Sequence, residues 1–124
     1  MKTHEEYMEL ALEEARKAEE IDEVPVGCVV VCDGEVISRG HNLKEQLNQA
    51  YAHAEMMAIQ KAAEVKGNWC LNDCDLYVTL EPCMMCTGII NLSRIRSVYY
   101  GTTDPKGGCL ETVIDLKKIS RLNH

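Results

Sequence analysis

Three metal-binding side chains in two short segments constrain this chain more than any other sequence feature. His53 lies in Ala-His-Ala-Glu, and Cys83 and Cys86 lie in Pro-Cys-Met-Met-Cys. A C-x-x-C pair alone is weak evidence, because thioredoxin-like redox pairs and halves of structural zinc sites share its spacing. An upstream histidine, a glutamate two residues after it and a proline before the first cysteine strengthen it. Together the two segments predict one site that the fold must assemble.

The donor set predicts a metal centre with room for chemistry. Two thiolates and one imidazole give Zn²⁺ three protein ligands, and a three-ligand zinc site keeps its fourth tetrahedral position for water. Zinc lowers the pKa of such a water toward about 7. We therefore expect one Zn²⁺ per chain, bound by His53, Cys83 and Cys86.

Glu55 is predicted to serve this site without binding the metal. It follows His53 by two residues in what the pattern predicts as the first turn of a helix, so the two side chains should point about 200° apart. We expect Glu55 to take a proton from the water and return it to the substrate as a general acid and base. The competing interpretation is a surface glutamate favoured near a helix N-terminus. The whole H-x-E…P-C-x-x-C pattern is the known signature of zinc-dependent nucleobase deaminases.

Length and composition predict a single domain over residues 1–124. The sequence has neither an apolar run of membrane-spanning length nor a signal-peptide pattern, so we expect a soluble cytoplasmic protein that does not contact membranes. Seven cysteines make an odd number, and no small-domain disulfide framework is indicated. The cysteines outside the metal site are expected to be reduced and mostly buried: Cys28, Cys32, Cys70, Cys74 and Cys109.

The net charge of -7 is distributed unevenly along the chain. Residues 1–24 carry -6 and residues 25–93 carry -4, whereas residues 94–124 carry +3. The basic C-terminal segment leaves contact with nucleic-acid phosphates open, although most charge runs are simply solvated surface.

Local patterns predict alternating helices and strands. A strand, helix, strand order in the second half predicts a parallel pair joined by a right-handed crossover. We therefore predict an α/β fold in which a mixed sheet carries helices on both faces, a three-layer α/β/α arrangement. The predicted elements are a helix from a capping box at Thr3 and Glu6 to Glu20, a hairpin of residues 26–32 and 35–40 with a type I′ turn at Asp33-Gly34, helices over 52–65, 83–92 and 110–119, and strands over 75–80 and 97–101.

Both ligand segments are predicted to lie at helix N-termini that follow extended chain. The partial positive charge of those ends would favour thiolates at Cys83 and Cys86. Asn42 either faces the site or stabilises its loop, and the sequence alone favours the loop. The glycine-rich segment 104–109 follows the last predicted strand, where ligands bind in open α/β sheets, although Asp-Pro and Gly-Gly would also make an ordinary turn.

The chain resembles the bacterial tRNA-specific adenosine deaminases of the cytidine deaminase-like superfamily. This resemblance implies a cytidine deaminase-like fold, a homodimer, and hydrolysis of adenosine to inosine at the wobble position of a tRNA anticodon. It rests on Glu23-Val24-Pro25-Val26-Gly27, Ala52-His53-Ala54-Glu55, Leu76-Tyr77-Val78-Thr79-Leu80-Glu81-Pro82-Cys83, Ser93-Arg94-Ile95 and Asp104-Pro105-Lys106-Gly107-Gly108-Cys109. By the same resemblance, His53, Cys83 and Cys86 would bind zinc, Glu55 would shuttle protons, and the base pocket or its approach would be lined by Asn42, Ala54, Asp104 and Lys106.

Two features depart from the family pattern. Tyr51 stands where the family usually has Thr or Ser, which alters the expected pocket entrance. The family pattern also continues past Asn123-His124 into another strand and a C-terminal helix that helps to hold the tRNA. We therefore expect this chain to keep the zinc site but to bind an anticodon stem-loop weakly.

The sequence leaves three other functions open. Guanine, cytosine or free-nucleoside deaminases could use the same core, because pocket shape decides the substrate. A structural zinc ribbon would bind its metal with four cysteines and would not use His53 as a ligand. A non-catalytic subunit of a deaminase dimer would have no need of Glu55. The ribbon's four ligands would be Cys70, Cys74, Cys83 and Cys86.

Overall fold

Helices and strands are distributed along residues 2–101, the part of the chain that this computed structural model describes. The predicted loop at 104–109 and helix at 110–119 lie outside the described residues. In chain order the elements are α1 (His4–Glu20), β1 (Gly27–Cys32), β2 (Glu35–His41), α2 (Lys44–Leu47), α3 (Ala54–Lys66), β3 (Cys74–Val78), α4 (Met84–Leu92) and β4 (Ser97–Tyr100). Among these residues, no helix combines the length and the apolar character that a membrane crossing requires.

The first helix begins as predicted, at a complete capping box. The Glu6 N–H donates to the Thr3 hydroxyl at 3.2 Å, and the Thr3 N–H donates to the Glu6 carboxylate at 3.1 Å. Each bond satisfies a backbone donor that the start of a helix leaves without a partner. The side chains of α1 that are buried against the sheet include Tyr7, Ala11, Ala15 and Ala18.

The hairpin of β1 and β2 has the predicted turn. Asp33 and Gly34 have φ values of 52° and 80°, so both central residues are left-handed, as a type I′ turn requires. The strand register shifts between Val30 and Val31, which face Ser38 and Val36 respectively. The residue between Ser38 and Val36 is therefore the extra residue of a β-bulge.

The sheet is mixed, with the strand order β2-β1-β3-β4. β1 is antiparallel to both of its neighbours, whereas β3 and β4 are parallel. A parallel pair cannot be joined by a tight turn, and α4 supplies the crossover. The predicted parallel pair in the second half of the chain is confirmed.

Helices cover both faces of the sheet, which confirms the three-layer prediction. Alternate residues of β1 point to opposite faces. On one face, Val29 and Val31 pack with Tyr7 of α1. On the other face, Val30 packs in a core that includes Ala58 of α3 and side chains of α4. Every residue of β1 is therefore buried.

Several element boundaries differ from the prediction. α3 begins at Ala54, because His53 is extended (φ −82°, ψ 159°) and its carbonyl accepts the first helical bond. β3 ends at Val78, because β1 begins at Gly27 and offers no partner to Leu80. Residues 43–51, for which no helix or strand is predicted, contain one helical turn, α2. α3 ends at Lys66, one residue beyond the predicted end, and Gly67 follows it in the left-handed conformation at φ 66°.

Gly40 allows β2 and α3 to pack in direct contact. A Cβ added at Gly40 would lie 2.5 Å from the Ala54 carbonyl oxygen and 2.7 Å from the Ala58 nitrogen, both backbone atoms. We expect Gly40→Ala to lower the free energy of unfolding by about 1–3 kcal/mol, the usual cost of overpacking. Urea denaturation of the two proteins measures this difference.

Gly88→Ala is the matched control, because a Cβ at Gly88 would meet nothing within 4 Å. Since Gly88 is inside α4, its replacement should change stability little or raise it by roughly 0.5–1 kcal/mol. Equal urea midpoints for Gly40→Ala and the unmodified chain would contradict the packing described here.

Candidate functional site

The N-termini of α3 and α4 converge and bring the three predicted metal ligands together. His53 is the N-cap residue of α3, Cys83 is the N-cap residue of α4, and Cys86 lies in the first turn of α4. The His53 Nδ1 atom is 3.6 Å from the Cys83 Sγ atom and 3.6 Å from the Cys86 Sγ atom. All three donor atoms lie within 4.8 Å of one another.

These distances fit a tetrahedral metal ion. Zinc bound to nitrogen at about 2.0–2.1 Å and to sulfur at about 2.3 Å separates the two donors by about 3.6 Å. The observed nitrogen to sulfur distances are both 3.6 Å and so match those expected around a bound zinc ion. Neither His53 nor Cys83 uses its side chain to cap its own helix, which leaves both side chains free to face the cluster.

Asn42 does the capping that His53 does not. Its Oδ1 atom accepts a hydrogen bond from the Ala54 N–H at 2.8 Å, and its own N–H donates to the Val26 carbonyl at 3.3 Å. The side chain is buried, and it also lines the pocket described below. Asn42 therefore has both of the roles that the sequence presented as alternatives.

A hydrogen bond between the two thiols of the cluster shifts their pKa values in opposite directions. A hydrogen bond from the Cys86 thiol lowers the pKa of Cys83 to about 5, although burial opposes this shift, and the Cys86 and Met85 N–H groups add to it. The same hydrogen bond raises the pKa of Cys86, with burial and the charge of Glu55 as further causes. The predicted thiolate is thus favoured at Cys83 by the protein alone, whereas a thiolate at Cys86 needs a cation beside it.

Glu55 is buried beside the thiols, with 4% of its surface exposed. Burial raises its pKa to about 7, and the negative charge of Cys83 adds to this shift. Hydrogen bonds from its own backbone and from Cys86 partly oppose it. The interpretation of Glu55 as an exposed surface residue is therefore wrong. A carboxyl group with this pKa can both accept and donate a proton near neutral pH.

A pocket of about 190 Å³ opens onto the cluster. Pockets that bind drug-sized ligands have volumes of roughly 300–1,000 Å³. This smaller pocket therefore suits a single small ring system. Its walls combine apolar side chains with convergent polar ones, an arrangement that fixes the orientation of a bound ring. The lining residues are Val24, Val26, Asn42, Lys44, His53, Glu55, Leu80, Glu81 and Cys83.

Sequence reasoning missed Lys44 as a pocket residue, because a distant carboxylate positions it. Glu23 is buried and accepts hydrogen bonds from the Glu45 N–H at 3.2 Å and the Gln46 N–H at 2.8 Å. These bonds hold the first turn of α2, where Lys44 lies, against the pocket. No local sequence pattern predicts that Glu23 would cap a helix that begins about twenty residues later in the chain. For Val24 and Glu81 the sequence offers a weak indication of a place in the pocket, since each precedes a proline in a segment that carries the family resemblance.

The remaining predicted site residues have different positions. Ala54 is fully buried and contacts the site through its N–H, which donates to Asn42. Tyr51 is half-exposed and does not line the pocket. Asp104 and Lys106 lie outside the described residues.

The alternative Cys₄ ribbon does not assemble within residues 2–101. Cys74 lies beside Cys32 and Asp73, and the thiols of Cys83 and Cys86 meet His53. His53, which a Cys₄ ribbon would not use as a ligand, lies beside Cys83 and Cys86. Cys28, Cys32, Cys70 and Cys74 carry free thiols, as predicted.

Comparisons with known proteins agree with the fold and identify a zinc-binding region in the chain. The family model of the cytidine and deoxycytidylate deaminase zinc-binding region matches residues 1–102. The chain is similar to the tRNA-specific adenosine deaminase of Bacillus subtilis strain 168, with 51% identity over 118 residues, which cover 95% of this chain and 73% of the relative.

Two solved structures extend this similarity to three dimensions. One comes from work on A-to-I editing by tRNA:A34 deaminases at the wobble position of transfer RNA, with a TM-score of 0.93, 49% identity, and coverage of 97% of this chain and 92% of that one. The other is guanine deaminase from Bacillus subtilis, with a TM-score of 0.80, 38% identity, and coverage of 82% and 66% respectively.

The ligand set can be tested by zinc content. His53→Ala should leave the dialysed protein with much less than one zinc per chain, because even partners that only orient a ligand cost about 10–100-fold in metal affinity when mutated. Cys70→Ser is the matched control and should retain the metal content of the unmodified chain. Inductively coupled plasma mass spectrometry measures both. Zinc loss in Cys70→Ser with retention in His53→Ala would favour the Cys₄ ribbon instead.

Proposed function

The chain belongs to the tRNA-specific adenosine deaminases, within the cytidine and deoxycytidylate deaminase zinc-binding family, and on that premise we propose that it converts adenosine to inosine at the wobble position of a tRNA anticodon. One observation supports this activity above the others. The buried Glu55 carboxyl lies beside a His53, Cys83 and Cys86 cluster with zinc-like spacing, and all but Cys86 line a pocket of about 190 Å³.

Zinc is the metal of this family, and we assign His53, Cys83 and Cys86 as its ligands. Their donor set of one imidazole and two sulfurs, and the 3.6 Å distances between nitrogen and sulfur, support the assignment. When bound, zinc lowers the pKa of a coordinated water toward about 7 and so supplies the nucleophile near neutral pH.

Glu55 moves the proton that the reaction requires. With a pKa of about 7, its carboxylate form takes a proton from the attacking water, whose oxygen bonds to C6 of the adenine. The resulting acid donates that proton to N1 and assists a second transfer to the amino group, which leaves as ammonia. The water thus contributes the O6 oxygen of inosine, the proton that stays on N1, and the one proton that converts the leaving amino group to ammonia.

Asn42 is suited to orient the base. Because its Oδ1 atom accepts from the Ala54 N–H, only the Nδ2 group remains to donate to an acceptor atom of a purine. We therefore assign Ala54 a positioning role through its backbone. Val26 and Leu80 supply apolar contacts for the faces of the ring. By resemblance to the family, Asp104 and Lys106 would complete the approach to the pocket.

The charge distribution is compatible with a tRNA substrate. Most of the net negative charge lies in residues 1–24. Because α1 packs on the sheet face opposite α3 and α4, the acidic surface lies away from the cluster. Lys44 at the pocket could contact a phosphate next to a base that has left its stack, a contact that positions nucleic acid without reading sequence.

We further propose that the enzyme is a homodimer joined through α4. Met84 and Leu92 are 54% and 57% exposed, and Met85 is also exposed. Met84, Gly88 and Leu92 recur every four residues and so share one helix face. Contiguous exposed apolar side chains mark interaction sites. Because α4 also carries Cys83 and Cys86 at its start, such an interface would stabilise the metal site.

Glu55→Ala tests the proton-transfer role. We expect it to keep one zinc per chain and to lose about 10²- to 10⁴-fold in rate, the usual contribution of a positioned acid and base. Inosine formation in an anticodon stem-loop with adenosine at the wobble position measures the rate. Glu64→Ala, at an exposed glutamate of the same helix, is the matched control and should retain activity. A wild-type rate for Glu55→Ala would disprove the assignment.

The substrate can be tested with a panel of compounds. Ammonia release from the stem-loop, guanine and cytosine should show turnover of the stem-loop alone. Guanine turnover without stem-loop turnover would instead indicate the activity named for the Bacillus subtilis guanine deaminase, whose fold this chain shares.

Gly88→Arg tests the homodimer. Since nothing lies within 4 Å of a Cβ at Gly88, the substitution should be tolerated by a single chain and should block close packing of two α4 helices. Sedimentation analysis should show a dimer for the unmodified chain and a monomer for Gly88→Arg. Val65→Arg, at an exposed position on α3, is the control and should remain dimeric. A monomeric unmodified chain would refute this interface.

A further inference from the structure

A second cluster of thiols lies at the opposite end of the sheet from the metal ligands. Cys32 is the last residue of β1, Cys74 is the first residue of β3, and the two face each other in the strand register. Their Sγ atoms and a carboxylate oxygen of Asp73 lie within 4.8 Å of one another. The pocket is instead next to the first residue of β1, about 17 Å away at the usual rise per residue.

The backbone brings these two thiols close together. The Thr79 N–H donates to the Gly27 carbonyl, and hydrogen-bonded pairs alternate along an antiparallel ladder, so Cys32 and Cys74 occupy a non-hydrogen-bonded pair. Consistent with this, the Cys74 N–H donates to Leu71 at 3.0 Å. The Cα atoms of such pairs are about 4.5 Å apart, inside the range of about 4.4–6.8 Å that disulfides span.

A charged pair surrounds the thiols. Lys66 Nζ lies 2.6 Å from Asp73 Oδ2 and donates to Cys32 Sγ at 3.5 Å. The thiol of Cys74 donates to Asp73 Oδ1 at 3.4 Å. Because Lys66 already supplies the cation beside the carboxylate, the cluster has no need of a metal. Cys32 is 7% exposed and Cys74 is fully buried, so an oxidant in solution would meet Cys32 first.

We propose that Cys32 and Cys74 are a reversible redox pair that closes to a cross-strand disulfide on reaction with a small disulfide such as oxidised glutathione. Cys32 loses its proton and attacks one glutathione sulfur, which releases the first glutathione as a thiol. Cys74 then attacks Cys32 Sγ, and its proton leaves with the second glutathione. The glutathione disulfide bond breaks, one disulfide bond forms in the protein, and two glutathione thiols carry away both protons and both electrons.

The disulfide would connect β1 to β3 and close a loop from residue 32 to residue 74. A cross-link of this kind restricts the unfolded chain and raises the melting temperature. The metal ligands at the far end of the sheet would be unaffected. This inference does not depend on the proposed deaminase activity.

The experiment uses the zinc-loaded full chain in buffers of oxidised and reduced glutathione, without oxygen. Oxidation should lower the intact mass by two hydrogen atoms, and a non-reducing digest should contain a peptide that joins Cys32 to Cys74. The melting temperature should rise, zinc content should stay constant, and dithiothreitol should reverse both the mass change and the thermal shift.

Three variants identify the thiols. Cys32→Ser and Cys74→Ser should abolish the mass loss, whereas Cys70→Ser, at a cysteine outside the cluster, should retain it. Peptide mapping of the unmodified chain identifies the bonded pair even if a serine variant folds poorly.

Three results would overturn the proposal. The first is a stable glutathione adduct on Cys32 that Cys74 never displaces to form the disulfide. The second is a Cys83 to Cys86 disulfide accompanied by zinc release. The third is a second zinc ion per chain that disappears in Cys74→Ser, since the thiols would then be metal ligands.

Discussion

The hydrogen bond from the Ala54 N–H to Asn42 Oδ1 is the contact on which the site depends. A helix start leaves several N–H groups without partners, and the residue before the helix usually satisfies one of them with its own side chain. Here Asn42 supplies that acceptor from the end of the hairpin, so His53 can turn its ring toward Cys83 and Cys86. Because this bond uses Oδ1 of Asn42, the Nδ2 group of that side chain is left to donate a hydrogen bond within the pocket. One contact therefore positions both the proposed metal ligand His53 and the proposed substrate-binding group of Asn42.

Close packing of helices on the sheet supports this arrangement. A Cβ at Gly27 would lie 1.9 Å from the Ala11 carbonyl oxygen, so α1 contacts β1 backbone to backbone. Gly40 gives α3 the same approach to β2 on the other face. Glu14 of α1 adds a polar link to β2 through His41 at 3.0 Å, and it also pairs with Lys17 of its own helix at 2.7 Å. Burial opposes its charged form, but those two bonds prevail and lower the pKa of Glu14.

The similarity to both tRNA deaminases and a guanine deaminase separates the chemistry from the choice of substrate. A cluster of one imidazole and two sulfurs beside a buried carboxyl suits hydrolytic removal of an amino group from any nucleobase. Discrimination between bases depends instead on pocket shape and on contacts with what surrounds the base. In this chain Lys44 lines the pocket, and α2 holds it there because Glu23 anchors the first turn of that helix.

Local chemistry was sufficient to predict the capping box at Thr3, the type I′ turn at Asp33-Gly34 and the ligand pattern, because each depends on residues near one another in sequence. The order of the elements also predicted the layers, since a parallel strand pair needs a crossover helix that packs on the sheet. Only the tertiary structure decided that Asn42 caps α3, that Glu23 anchors α2, and that Cys32 meets Cys74. These contacts join distant parts of the chain, and a backbone must be folded before such groups can meet.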